Sequence, residues 1–424
     1  MTQAAEGHKV RGWYYGWNIV AVCVLSQVAV NGLTYNSLSL FLRGWSAEMH
    51  APISRLQLSV AAMVLGAALL SPVVGALADR LGARKLFAFG LIGMTAFYFA
   101  ISVTTASWQI VALYGLLAPL PLCLSTSIPS NTVISRWFVR HLGLALGLSS
   151  FGVGMAGVVL PPLIAAVLPE LGWRTIWRLG GLVLGCLVMP IVVIALRDRP
   201  TERDGLHYLT GDGSPKPHHH GGGGAQIGWR EILSRKNFWL VIGGYLPLMA
   251  LYGGCAQNIA PYAAFHGLAQ KSAGALLSIF SLAHLVATLV LGPLSDRLGN
   301  RLLFAGLAVI TATGAVVLAV ATGMPAVVLG CTLIGLAGGL NTLQAAAMAA
   351  EFGASGFGRA FGLSMIFIPV AQLAPFAIAR VQESTGSYAP AFLGMAVLAL
   401  IGGGVSLFID ERRGLRSPTV RVAG

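Results

Sequence analysis

Long apolar runs constrain this chain more than any other feature. Stretches of roughly 20 residues, almost free of charge, recur from Gly16 to Ile409. At a rise of about 1.5 Å per residue, each is long enough to cross the ~30 Å hydrocarbon layer of a bilayer. Lipid offers no water to backbone N–H and C=O groups, so such a run must become a helix. Twelve can be drawn, at about residues 16–41, 53–78, 86–103, 108–138, 143–162, 173–196, 238–264, 273–295, 302–321, 326–351, 360–381 and 391–409. Of the 424 residues, 56% are hydrophobic and only 10% charged, whereas about a quarter are charged in soluble domains. The expected fold class is an all-α membrane protein with a lipid bilayer as its main partner.

The formal charge of +13 invites a nucleic-acid reading, but placement argues against it. With loops assigned alternately, 21 Lys/Arg fall on one side and 6 on the other. That asymmetry is the positive-inside signature. It predicts a multi-pass protein of the cytoplasmic membrane with both termini inside. Cys23, Cys123, Cys186, Cys255 and Cys331 all lie within apolar runs without metal-ligand spacing, so they read as packing residues. No metal or cofactor is expected. The first apolar run is full length and lacks a small-residue cleavage pattern, which predicts an uncleaved first helix.

A repeat divides the chain. Gly75-Ala76-Leu77-Ala78-Asp79-Arg80-Leu81-Gly82 recurs as Gly292-Pro293-Leu294-Ser295-Asp296-Arg297-Leu298-Gly299. Each copy closes one apolar run and opens the next. Glycine permits the tight turn, and the aspartate is placed for the following helix's positive end. Between the copies, residues 197–236 are charged and then rich in Gly, Pro and His, including His218-His219-His220. They read as a flexible cytoplasmic linker. The expected organisation is a six-helix half over residues 1–196, the linker 197–236, and a second six-helix half with a basic tail over 237–424. Arg43–Pro52 reads as a polar outer connection, and Trp229–Lys236 as an amphipathic stretch at the membrane surface.

The fourth run carries Pro119, Pro121 and Pro129 with Ser125, Thr126, Ser127, Ser130 and Asn131 around them. Prolines free carbonyls inside a helix, and hydroxyls or neighbouring helices must satisfy those carbonyls. The fifth run reads Gly152-Val153-Gly154-Met155-Ala156-Gly157 and ends in Pro161-Pro162. Its glycine spacing matches a dinucleotide fingerprint, but that fingerprint needs a preceding strand, so a small-residue packing face is expected.

The paired Asp-Arg turns resemble the loops between helices 2 and 3, and between helices 8 and 9, of major facilitator superfamily transporters. Arg136-Trp137-Phe138, Gly143 to Gly147, Pro161-Pro162 and Tyr15-Gly16-Trp17 resemble the bacterial monocarboxylate-porter and oxalate/formate-antiporter branch. So do Gly358 to Leu363 and Thr385 to Phe392. The resemblance implies twelve helices in two pseudo-symmetric halves, with substrate held at the midplane between them. It also implies that Asp79, Arg80, Asp296 and Arg297 gate the cytoplasmic side. Where that branch often carries a helix 8 arginine, this chain has Thr288, with His284 one turn earlier. In helix 11 the corresponding stretch offers Gln372 and, nearer the outer end, Arg380.

An ionisable residue within a membrane helix marks a functional interior site by default. His284, with an ordinary pKa of about 6.5, can exchange protons near neutrality. The alternative is a neutral histidine bonded to a neighbouring helix. Asn31, Tyr252 and Asn341 lie near the middles of helices 1, 7 and 10, where they either line a cavity or bridge helices. Arg380, Arg174 and Arg178 lie towards helix ends, placed either to snorkel or to recruit an anion. The candidate substrate site is therefore His284, Thr288, Asn31, Tyr252, Asn341, Gln372 and Arg380.

No Asp or Glu falls in the apolar interior, and no nucleophile–base pair occurs there, so no enzyme is expected. The leading expectation is a monomeric, proton-coupled carrier for a small organic anion. An exporter of an apolar drug or metabolite is the second expectation, and a transport-fold sensor a third. If the Asp-Arg turns gate the cytoplasmic side, Asp79→Asn shifts the carrier away from outward-open states while expression stays near normal. Accessibility of paired probes on the two faces checks this, and an unchanged distribution reduces the turn to a folding element.

Overall fold

Glycines and prolines punctuate the apolar runs, and the helix breaks fall at them. The computed structural model describes residues 14–138, 142–200 and 228–410. The His218-His219-His220 run lies outside the described residues, as do the side chains of Asp79 and Asp296. The first span, α1 (Gly16–Asn36), ends in a π-helical turn and is followed by a helix at Leu38–Met49. Next come α2 (Ile53–Leu81), α3 (Ala83–Ser102) and α4, formed by Ser107–Leu117 and Pro119–Trp137 with a 44° bend between them.

A single helical stretch, Leu144–Ala195, follows and is 52 residues long. At about 1.5 Å per residue it would measure more than twice the hydrocarbon thickness. It is broken at Gly172, which has φ 71° and ψ 158°. Residues 142–171 form α5 and residues 173–195 form α6. The second half contributes α7 (Lys236–Phe265), α8 (Gln270–Leu298), α9 (Asn300–Val320), α10 (Met324–Phe352), α11 (Arg359–Thr385) and α12 (Ala389–Ser406). A short helix, Trp229–Ser234, precedes α7. The architecture is twelve apolar helices in two six-helix halves, with no strand among the described residues.

Two boundaries differ from the sequence expectation. Arg43–Pro52 is largely helical, because the helix Leu38–Met49 has an apolar face that buries Leu38, Phe41, Leu42 and Trp45. Phe41 and Trp45 pack on Trp177 of α6, with ring centroids 5.4 and 6.1 Å apart. Glu48, on the same helix, pairs with Arg174 and accepts a 2.7 Å hydrogen bond from the Trp173 indole. The Arg174 guanidinium, helped by that indole, holds the Glu48 carboxyl below its usual range. Arg174 thus serves a helix-to-helix contact rather than standing alone at a helix end. The second difference is that α5 does not end at Pro161-Pro162 but continues to residue 171.

The proline-rich helices survive because partner helices take over the freed carbonyls. A proline at position i leaves the carbonyl at i−4 without its usual donor. Pro129 frees the Ser125 carbonyl, and the Ser26 hydroxyl of α1 donates to it at 2.7 Å. Pro162 frees the Val158 carbonyl, and the Ser278 hydroxyl of α8 donates at 2.7 Å. Pro261 frees the Gln257 carbonyl, which lies 3.4 Å from Gln57 Nε2 of α2. The last two cross between the halves. The Ser125, Thr126 and Ser130 hydroxyls instead donate back to their own helix, each at 2.7 Å.

The repeated turns share one backbone geometry. Gly82 has φ 81° and ψ 154°, and Gly299 has φ 78° and ψ 156°, a region that side chains with a Cβ rarely adopt. At Gly82 the Asp198 carboxylate accepts from the Arg84 backbone N–H at 3.0 Å, capping α3.

The two halves meet away from these turns. α5 packs along α8, with Gly274 against Pro161 and Pro162 and Gly157 against Ser281. Near the end remote from the turns, Gln57 bonds Asn258 at 3.0 Å and Ser54 bonds Glu383. Towards the turns the halves separate around a cavity of about 870 Å³, lined by Leu69 and Pro72 of α2, Ile128 of α4, Trp229, and Arg359 and Met365 of α11. The bundle is closed at one end and open at the other.

The Ser26 bond yields a stability test. Ser26→Ala strands a buried carbonyl and is expected to cost about 1–2 kcal/mol. Ser125→Ala removes only a hydroxyl bonded within its own helix and should cost less. Thermal unfolding of the purified protein reads the order, and equal losses would refute the role given to Ser26.

Candidate functional site

Three helices of the second half bring polar side chains together at mid-length. Tyr252 lies midway along α7, His284 midway along α8 and Asn341 midway along α10. Tyr252 Oη and His284 Nδ1 are 2.7 Å apart. When the phenol donates, Nδ1 is the acceptor, and a neutral imidazole then carries its proton on Nε2. Tyr252 also packs against Phe280, one turn before His284, with ring centroids 4.9 Å apart. Two turns earlier on α7, Tyr245 donates to Asn341 Oδ1 at 2.7 Å.

The backbone of α10 makes room for the imidazole. Leu336–Gly339 is a 3₁₀ segment whose sequence is Leu-Ala-Gly-Gly. A Cβ on Gly338 would stand 2.1 Å from His284 Cγ, and one on Gly335 would stand 2.6 Å from the Phe280 carbonyl oxygen. These glycines let α10 lie directly on α8, with the His284 ring held between Gly338 and Tyr252. Thr288 follows one turn along α8, and its hydroxyl donates to the His284 carbonyl at 3.0 Å.

A second cluster joins the halves. Gln372 of α11 is buried and accepts from the Tyr35 hydroxyl of α1 at 3.4 Å. The Tyr35 carbonyl accepts from Gln257 Nε2 of α7 at 3.2 Å. Gln257 Oε1 is buried and has no partner among the described residues. Asn31 Nδ2 donates within α1 to the Gln27 carbonyl at 3.0 Å.

The sequence candidates thus divide. Tyr252, His284 and Thr288 form one group, with Asn341 tied to the same helix by Tyr245. Gln372 belongs to the inter-half cluster, and Asn31 bonds within its own helix. Arg380 stands apart, 66% exposed at the closed end and 3.8 Å from Glu383. Arg80 and Arg297 are exposed at the open end. Sequence reasoning did not select Tyr35, Tyr245 and Gln257 for the site. Their signal was polar or phenolic character within an apolar run, shared with many purely packing residues.

Among the described residues, no group of three or more His, Cys, Asp or Glu is arranged to hold a metal ion. Nor does any described Asp or Glu lie beside the His284–Tyr252 pair, since the described acids sit at helix ends or in connections.

Two six-helix halves, joined at one end and parted at the other around a largely apolar cavity, have the plan of a membrane transport protein. The chain belongs to the Major Facilitator Superfamily, whose profile matches residues 24–270 and again 258–423. It is 25% identical over 354 residues to the MFS transporter asaE of Aspergillus flavus, covering 81% of this chain and 74% of that protein. It is 23% identical over 184 residues to the uncharacterized MFS-type transporter YcxA of Bacillus subtilis, covering 43% of this chain. The match spans 45% of YcxA, and a match to the uncharacterized transporter ESBP6 of Saccharomyces cerevisiae spans 33% of that protein. A bacterial homologue of the human lysosomal transporter Spinster, solved in an inward-facing, unoccupied conformation, shares the fold. Its TM-score is 0.74 at 15% identity, covering 97% of this chain and 100% of that one. Family and fold are those of transporters rather than enzymes.

The seating of the imidazole gives a steric test. Gly338→Ala should overpack the α8–α10 contact and cost about 1–3 kcal/mol. Adding His284→Ala should recover much of that loss, because the clashing ring is gone. Thermal denaturation of the single and double variants measures the coupling, and additive losses would show that the ring does not rest on Gly338.

Proposed function

We propose that this chain is a secondary transporter that moves a small, singly charged organic anion of the monocarboxylate kind across the cytoplasmic membrane by alternating access, coupled to protons. The carrying observation is the His284–Tyr252 pair at mid-membrane, 2.7 Å apart and without a carboxylate neighbour among the described residues. A protonated imidazole supplies one positive charge and a free N–H, while the phenol supplies a second polar contact. Such a site suits one carboxylate and is too weakly charged for two. In this reading Thr288, Asn341 and Gln372 add polar contacts from the second half, and Asn31 adds one from the first. Arg380, at the closed end, recruits the anion.

The orientation follows from charge. The end bearing Arg80, Arg84, Lys85, Arg297, Arg301 and Arg359 is cytoplasmic by the positive-inside rule. The cavity then opens inward, and both termini and the linker 197–236 lie in the cytoplasm, between halves 1–196 and 237–424. Asp79, Arg80, Asp296 and Arg297 gate that side. A protein monomer is sufficient, since each half supplies its partner.

The absence of fixed charge around the pair, among the described residues, favours one competing reading. An apolar or neutral solute, stacked on Phe280 and Tyr252, would be exported through the same cavity. Saturable uptake of a labelled monocarboxylate into proteoliposomes, stimulated by an inward proton gradient, separates the two readings.

If His284 holds the anion in its charged form, affinity rises as pH falls and declines as pH rises. His284→Gln should flatten that dependence, and His284→Arg should retain affinity while removing it. Binding measured at several pH values checks both. A wild-type pH profile in His284→Gln would make the histidine structural.

A further inference from the structure

At the closed end, a side chain from one half caps a helix of the other. Glu383, near the end of α11, places Oε1 2.9 Å from the Ser54 backbone N–H and Oε2 2.7 Å from the Ser54 hydroxyl. Ser54 lies in the first turn of α2, where the N-cap residue, Pro52, makes no side-chain cap. First-turn N–H groups have no acceptor within their own helix, and negative charge is favoured there by the helix dipole. The second half therefore supplies the cap that α2 lacks. One turn further along, the neutral amides of Gln57 and Asn258 join the halves, 3.0 Å apart.

We propose that Glu383 and Ser54 form a proton-sensitive latch of the transport cycle, in which the Glu383 carboxylate holds this end closed and its protonation lets the end open. Hydrogen bonds to an ionised acceptor are about twice as strong as those between neutral groups. A protonated carboxyl group loses that strength and its attraction to the α2 dipole. The amides beside it are neutral, so Glu383 is the charged member of this closure.

Other charged and titratable side chains surround the Glu383–Ser54 pair. Arg380, on the same helix, is 3.8 Å away and mostly exposed, so its attraction is largely screened. On α2, Arg55 next to Ser54 is exposed to solvent. Tyr388, just before α12, lies within electrostatic range of the carboxylate. At the end of α7, Tyr262 donates its hydroxyl to the Leu318 carbonyl at 2.7 Å and His266 packs against its ring. When the end opens, the parted N–H and carboxylate meet water rather than lipid, so neither is stranded.

The latch depends on the transport cycle and not on the cargo or on His284, so its test needs no substrate. Spin labels at Ala47→Cys and Ala269→Cys, in full-length protein lacking native cysteines and held in lipid nanodiscs, report the distance across this end. Acidification should lengthen it in the wild type. Glu383→Gln, which mimics the protonated acid, should lengthen it at neutral pH and abolish the acid response. Losing a helix cap of ordinary strength corresponds to about a five-fold fall in the closed-to-open ratio. Ser54→Ala, which keeps the backbone bond, should give a smaller shift in the same direction and serves if Glu383→Gln does not fold. An unchanged distance in these variants, or an acid response that survives in Glu383→Gln, overturns the proposal. Arg380→Gln should leave the acid response in place, and its loss there would move the switch to the ion pair.

Discussion

Everything in this protein answers to the rule that lipid satisfies no backbone group. A carbonyl without a partner is costly in hydrocarbon, and the chain carries prolines within many of its spans. The Ser125, Val158 and Gln257 carbonyls each face a donor from another helix. Proline thus converts an intrahelical bond into a contact between helices. Two of these contacts join the two halves, so the interface between them is built partly from displaced backbone bonds.

The same economy of polar groups shapes the centre. His284 could not occupy its place without a helix that lacks side chains beside it, and the Leu336–Gly339 turn of α10 provides this. The imidazole meets a phenol on one side and bare backbone on the other. A site with one titratable group and several neutral donors discriminates by hydrogen bonding and shape more than by charge. At the closed end the balance is reversed: a carboxylate lies where a helix has spare N–H groups, close enough to water for its charge to be tolerated.

Motion follows from where these bonds lie. The polar links between halves described above gather from mid-membrane to the end opposite the Asp-Arg turns, and the cavity lies beyond them. Parting that end exchanges a few hydrogen bonds for water, while the long α5–α8 seam can remain in contact as the halves rock. A transition between closed and open ends then depends on differences of a few kcal/mol, a range that differential binding of a solute can supply.

The apolar runs alone determined the helices, their number and the membrane class, because a segment of that length and composition has no other stable form in lipid. The repeated Asp-Arg turns fixed the two-half plan, and their glycines proved to share one left-handed geometry. The prolines announced unsatisfied carbonyls, but not which side chains would answer them. Ser26, Ser278 and Gln57 are unremarkable in sequence, and only packing brings each to its acceptor. The helix Leu38–Met49 was hidden for a related reason: its charged residues suggested a loop, whereas its buried face becomes apparent only against Trp177. His284 stood out as the ionisable group within its own helix, yet its phenolic partner lies 32 residues away in sequence on another helix. Glu383 and Ser54 are separated by 329 residues, a pairing that local pattern cannot encode and that exists only because the halves close at that end.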